Sequence, residues 1–181
     1  MEMVAERFEK FGISETAVLK TEDIPFCESL RKLCEKNACG NYKKSWQCPP
    51  FIGSFEEIRA RVHEYAFAVL CKSTHKISDC FDWDGMNEAL AAHRMACKKI
   101  RDTLKGDFLH LAAGGCKLCD VCAVQEEKKC RFPLLAHAAP EAYSIDVTAL
   151  AEKAGMEYGS GGAEVSYFDI FLIQKKDEKS T

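Results

Sequence analysis

The sequence predicts an α+β or α/β fold, a single small sheet packed with helices, with two cysteine-rich loops inserted into it. Helix and strand patterns alternate after residue 54, and no unit repeats along the chain. Eight of the eleven cysteines fall into two groups, at 27–48 and 116–130. The 181 residues fit one domain spanning 1–181, with residues 25–53 as a first cysteine-rich lobe and 114–133 as a second loop.

Residues 14–20 read as a short strand, and 23–50 as an irregular stretch carrying four cysteines. Ser54 and Glu57 form a capping-box pattern that starts a helix near Phe55, with Ile58, Val62 and Tyr65 as its apolar stripe. The apolar run 66–73 suits a buried strand. From 85 to 105, Met86, Leu90, His93, Cys97, Ile100 and Leu104 step by four and three, the helical period, and Gly106 fits just past the end. Residues 107–112 form another strand that runs into Gly114-Gly115. Asp146 caps a helix over 147–154 that stops at Gly155. Residues 159–162 make a turn, 164–173 are rich in Val, Tyr, Phe and Ile and form the clearest strand, and the charged tail 175–181 frays.

Hydrophobic residues make up 47% of the chain and charged residues 29%, which supports a core and excludes disorder. A net charge of −3 offers nucleic acid no electrostatic footing. No apolar run approaches the roughly 18 residues of a membrane span. Residues 1–11 lack the apolar stretch of a secretory signal, so the expected location is the cytoplasm. Eleven cysteines there are not a disulfide framework, because the compartment keeps thiols reduced and the number is odd. Clustered thiolates in a reducing setting are soft metal ligands.

The second group reads Cys116-x2-Cys119-x2-Cys122-x7-Cys130, with Pro133 after it. Three thiolates at steps of three can converge on one iron–sulfur cluster while successive backbone N–H groups face the sulfurs. A zinc site more often uses two separate Cys-x2-Cys knuckles, for which the third cysteine is surplus. The bacterial ferredoxin run shares the first three positions. Cys130 either closes its own cluster or crosses to a neighbour, and the local arrangement is preferred because a second set stands upstream. That set is Cys27, Cys34, Cys39 and Cys48, separated by six, four and eight residues and followed by Pro49-Pro50. The segment holds little apolar content, so a metal would replace its missing core. Cys27 is expected to close the first site, with Cys80 as the alternative.

At these segments the chain resembles a family of prokaryotic proteins described as predicted metal-binding proteins, domain of unknown function 2284. The resemblance lies in Cys39-Gly40-Asn41-Tyr42, Trp46-Gln47-Cys48-Pro49-Pro50, Gly115 through Cys122, Cys130-Arg131-Phe132-Pro133 and 140–147, and it extends over most of the chain past residue 25. It implies metal binding, with iron–sulfur chemistry expected, and supplies no reaction.

Cys71 and Cys97 read as core residues, and the five histidines show no metal-ligand pairing. No phosphate-binding glycine motif and no Cys-x3-Cys-x2-Cys triplet is present. The leading expectation is therefore a cytoplasmic electron carrier with two 4Fe–4S clusters and a redox partner protein, for which Lys43-Lys44 and Lys128-Lys129 offer docking points. The rivals are an enzyme with one three-cysteine, open cluster and an interaction module stabilised by zinc.

Overall fold

The computed structural model describes residues 8–159 and 161–174, so the charged tail lies outside the described residues. The architecture is α+β: one four-stranded antiparallel sheet with helices on both faces. The strands are β1 (Glu15–Lys20), β2 (Phe67–Lys76), β3 (Phe108–Leu111) and β4 (Glu164–Ile173), in the spatial order β1-β2-β4-β3. The helices are α1 (Ser29–Glu35), α2 (Phe55–His63), α3 (Trp83–Thr103) and α4 (Val147–Lys153). None of the helices among the described residues is long and apolar enough to cross a membrane.

The central pair sets the register. Phe67 to Lys76 run against Ile173 to Glu164, placing Leu70 beside Ile170 and Cys71 beside Asp169. Successive residues then face opposite layers. Ala68, Leu70, Ile170 and Leu172 pack with Ile58 and Val62 of α2 and with Val147, Leu150 and Ala151 of α4. Val69, Cys71 and Phe171 pack on the other face with Ala96, Cys97 and Ile100 of α3. A strand covered on both faces needs an unbroken apolar run, which is why residues 66–73 lack alternation.

Local chemistry sets the ends of the elements. Ser54 and Glu57 form the reciprocal capping box that begins α2. The Asp82 carboxylate accepts from Gly85 N–H at α3, and Asp146 accepts from Ala149 N–H at α4. Gly155, at φ +72°, follows the last turn of α4. One expectation needs correction, because residues 29–35 form a helix rather than an irregular stretch. No residue of α1 is buried, so the helix leaves no amphipathic pattern to read. Cys71 and Cys97 are fully buried, as core residues should be.

β3 is short, and its open edge is partly covered. Leu111 makes a parallel bridge to Ala138, and Ala112 N–H donates to Ala138 O at 2.8 Å.

In the α3-facing layer lies a buried polar cluster that the sequence reading did not expect. Asp169 is fully buried in an otherwise apolar strand. Its Oδ1 accepts from His93 Nε2 at 3.0 Å and from Ala113 N–H at 2.7 Å, and its Oδ2 accepts from His110 Nε2 at 2.7 Å. The network continues from His93 Nδ1 to Ser73 Oγ at 2.7 Å, and from there to His75 Nε2 at 2.9 Å. Burial opposes the charge on Asp169, but the bonds from His110 and His93 outweigh it and hold the carboxyl below the usual range.

Removing the charge while keeping the shape leaves three donors facing one oxygen and an amide N–H₂. Asp169→Asn should cost about 3 kcal/mol in chemical denaturation at neutral pH. A depressed folded pKa contributes stability above the unfolded value of about 4 and loses it below. The gap between wild type and Asp169→Asn should therefore narrow as the pH falls below about 4.

Candidate metal centre

The first cysteine segment is anchored at both ends. Cys27 N–H donates to Ser144 O at 2.8 Å, Asp146 N–H donates to Pro25 O at 3.0 Å, and Phe26 bridges Ile145. α1 then carries Cys34 on its last turn, with Arg31 Nη2 donating to Gly53 O at 2.8 Å. Beyond the helix the chain folds through successive turns. The Asn37 side chain accepts from Tyr42 N–H at 2.9 Å, and Lys43 N–H closes on Pro49 O at 3.0 Å. These bonds bring Cys39 and Cys48 back toward Cys34.

The second segment leaves the sheet at β3. Asp169 holds Ala113 N–H, and Arg94 Nη2 of α3 donates to Ala113 O at 3.1 Å. Gly114 and Gly115 follow at φ +71° and +67°, left-handed conformations that swing the chain toward the first segment. A Cβ on Gly114 would also come within 2.9 Å of Arg94 Nη2. The ligand loop closes through Arg131, whose Nη1 donates to Val121 O at 2.8 Å and whose Nη2 pairs with Glu126 at 2.9 Å. A hydrogen bond to Cys119 and the contact with Glu126 raise the Arg131 pKa.

The two segments lie against each other. Trp46 Nε1 donates to Lys128 O at 2.9 Å, and Gln125 Nε2 donates to Lys44 O at 3.2 Å. Two adjoining cavities result. Cys34, Cys39, Cys48 and Cys116 line one of about 230 Å³. Cys116, Cys119, Cys122 and Cys130 line the other, of about 290 Å³. Cys116 belongs to both. Cys27 lines neither, and its Sγ lies 2.9 Å from Ser29 Oγ. Cys80 is on the exposed turn before α3 and also lines neither cavity.

The donor set fits a soft metal. Burial pushes the Cys34 and Cys48 thiols up. Cys39, Cys34 and Cys116 push Cys48 further, against a lowering hydrogen bond from Ser45. Burial and neighbouring sulfurs make Cys34 and Cys48 costly to ionise, so a cation is needed to hold them as thiolates, and a metal ion or cluster supplies it. His93, Cys97 and Asp169 also bring ligand atoms within 4.8 Å of one another. That trio is engaged differently: Asp169 already accepts three bonds, and burial strongly opposes ionisation of Cys97.

A family model described as predicted metal-binding protein (DUF2284) matches residues 17–173. No curated protein and no solved structure matches the chain.

The left-handed turn at the head of the second loop can be tested alone. Gly115→Ala, whose new Cβ meets nothing closer than 3.8 Å, should lower stability by about 1–2 kcal/mol, the cost of a side chain in this conformation. Gly159→Ala, with nothing within 4 Å of the new Cβ, should change little. Thermal unfolding of the two variants side by side checks the difference.

Proposed function

The chain belongs to the family of predicted metal-binding proteins, and on that premise we propose that it carries two 4Fe–4S clusters and passes single electrons to a partner protein in the cytoplasm. The observation that supports this reading is the pair of adjoining cavities, each lined by four cysteines. An all-sulfur donor set suits iron–sulfur clusters or zinc. The run of three cysteines at steps of three, which exceeds a zinc knuckle, favours clusters. A bound cluster would supply reversible one-electron chemistry.

The residues around the sulfurs would tune and shield that chemistry. Arg131 sets a cation beside Cys119, and Trp46 covers the seam between the loops. In this reading Cys34, Cys39 and Cys48 hold the first site, and Cys116, which lines both cavities where Cys27 lines neither, is shared between the two sites. The eight cysteines of the two groups, Cys27, Cys34, Cys39, Cys48, Cys116, Cys119, Cys122 and Cys130, are then not equivalent.

That same sharing favours a second reading. If Cys116 serves the first site, Cys119, Cys122 and Cys130 leave the second with three thiolates and one open position. A position of that kind can bind a substrate, which makes the protein an enzyme rather than a carrier.

Purified without oxygen, the protein should contain about eight irons and eight acid-labile sulfides per chain. Zinc without labile sulfide overturns both readings and leaves a structural module. Cys27→Ala should keep the full iron content, and Cys116→Ala should lose about half or more. Electron paramagnetic resonance of the reduced protein separates the remaining two readings. A spectrum that shifts when cyanide is added marks an open iron and an enzyme, and an unchanged spectrum marks a carrier.

A further inference from the structure

Next to the cysteine cavities lies a third cavity with no thiol in its wall. It measures about 270 Å³ and sits between α3 and the segment that follows β3. Arg94, Lys98 and Arg101 line one side, spaced four and three residues apart so that one helix face presents all three cations. Lys117 lines it from the second cysteine loop, between Cys116 and Cys119. Asp102 pairs with both Lys98 and Arg101, at 3.1 and 3.4 Å. Asp169 also lines the cavity, but His93, His110 and Ala113 already occupy its oxygens. Four cations against one exposed and one saturated carboxylate leave the cavity electropositive.

Two histidines complete the wall, and their bonding fixes what each can still do. The carboxylate of Asp169 only accepts, so His110 Nε2 carries the proton. His110 Nδ1, the other ring nitrogen, is buried and has no partner within the protein, and Arg94 Nε is buried in the same way. His137 Nδ1 donates to Leu135 O at 3.1 Å, and burial lowers the His137 pKa, which leaves its Nε2 as an acceptor. The two imidazoles lie 5.5 Å apart, and His110 stacks on Phe171 at 4.2 Å. The two orphaned atoms lie behind the cavity wall, so the imidazole nitrogen that a ligand can reach is His137 Nε2. The remaining wall includes the apolar Ala112, Leu118 and Leu135.

We propose that this cavity binds a small 2-hydroxycarboxylate. Its carboxylate sits against the Arg94, Lys98 and Arg101 face, its hydroxyl donates to His137 Nε2, and its hydrocarbon part meets Leu118 and Leu135. A bare oxyanion would satisfy the cations but leave the apolar wall and the His137 acceptor unused. A simple fatty acid would lack the hydroxyl donor. The volume lies at the small end of ligand sites, which limits the occupant to a few carbons. Because Lys117 and Leu118 belong to the loop that carries Cys116 and Cys119, the occupant would lie beside the second metal site. The assignment does not depend on which metal that site holds.

The test is calorimetric titration of the anaerobically purified, metal-loaded protein at pH 7 with lactate, propionate and sulfate. Lactate should bind saturably and about tenfold or more tighter than either comparator, since a site built to bond a hydroxyl rejects the analogue without it. The double variant Lys98→Gln/Arg101→Gln should weaken lactate by about tenfold or more, with metal content and circular dichroism unchanged. Equal binding of propionate, tighter binding of sulfate, or no saturation by lactate overturns the proposal. Lactate binding that survives the double variant and shifts the cluster spectrum places the ligand on an open iron instead, and also overturns it. The three-ligand series on the unaltered protein decides the matter even if the double variant fails to fold.

Discussion

A carboxylate taken out of water must be met by donors from the protein, and at Asp169 those donors come from three different parts of the fold. His93 reaches it from α3, His110 from β3, and Ala113 N–H from the start of the second cysteine loop. An unmatched charge at this depth costs several kcal/mol, so each donor has a reason to be in place. The same contacts that neutralise Asp169 therefore lock α3 onto the sheet and determine where the chain leaves β3. From that point Gly114 and Gly115 turn Cys116 toward the first cysteine segment. The position of the sulfurs thus follows from a polar contact in the α3-facing layer of the core.

The cysteine segments themselves could not be held by packing. From residue 25 to 51 only Pro49 is buried, and from 113 to 137 only Ala123 and Val124 are. Chains with so little apolar content do not offset their own ordering entropy. The segments compensate by leaning on each other through Trp46 and Gln125, and by bonding to the sheet and to the turn at 140–147. Bound metal would complete this arrangement, since ligands drawn from both segments cross-link them.

Much of the frame could be read from the sequence because its signals are local. The Ser54–Glu57 box, the alternating steps of α3 and the Val-Ser-Tyr-Phe run of β4 each lie within one element, and all three formed as expected. The features that escaped depend on contacts across long separations. Ser73, His93, His110 and Asp169 come from four elements, and spacing alone cannot bring them together. Signals did exist: an acid at the centre of the apolar β4, and a histidine on the apolar stripe of α3. Both are polar residues where burial demands a partner, and each predicted the other. The cysteine spacings suggested two groups, but that Cys27 lines neither cavity and Cys116 lines both depends on how the loops fold back, which spacing does not encode.

The bridge between Leu111 and Ala138 has a consequence for solubility. β3 ends one side of the sheet, and a bare sheet edge is a template on which another chain can add a strand. Ala138 covers the end of that edge, accepting the Ala112 N–H that a foreign strand would otherwise use. Ala138 itself follows directly from the cysteine loop that ends near Pro133. The segment that follows the second cysteine loop therefore also caps one end of the sheet's exposed edge.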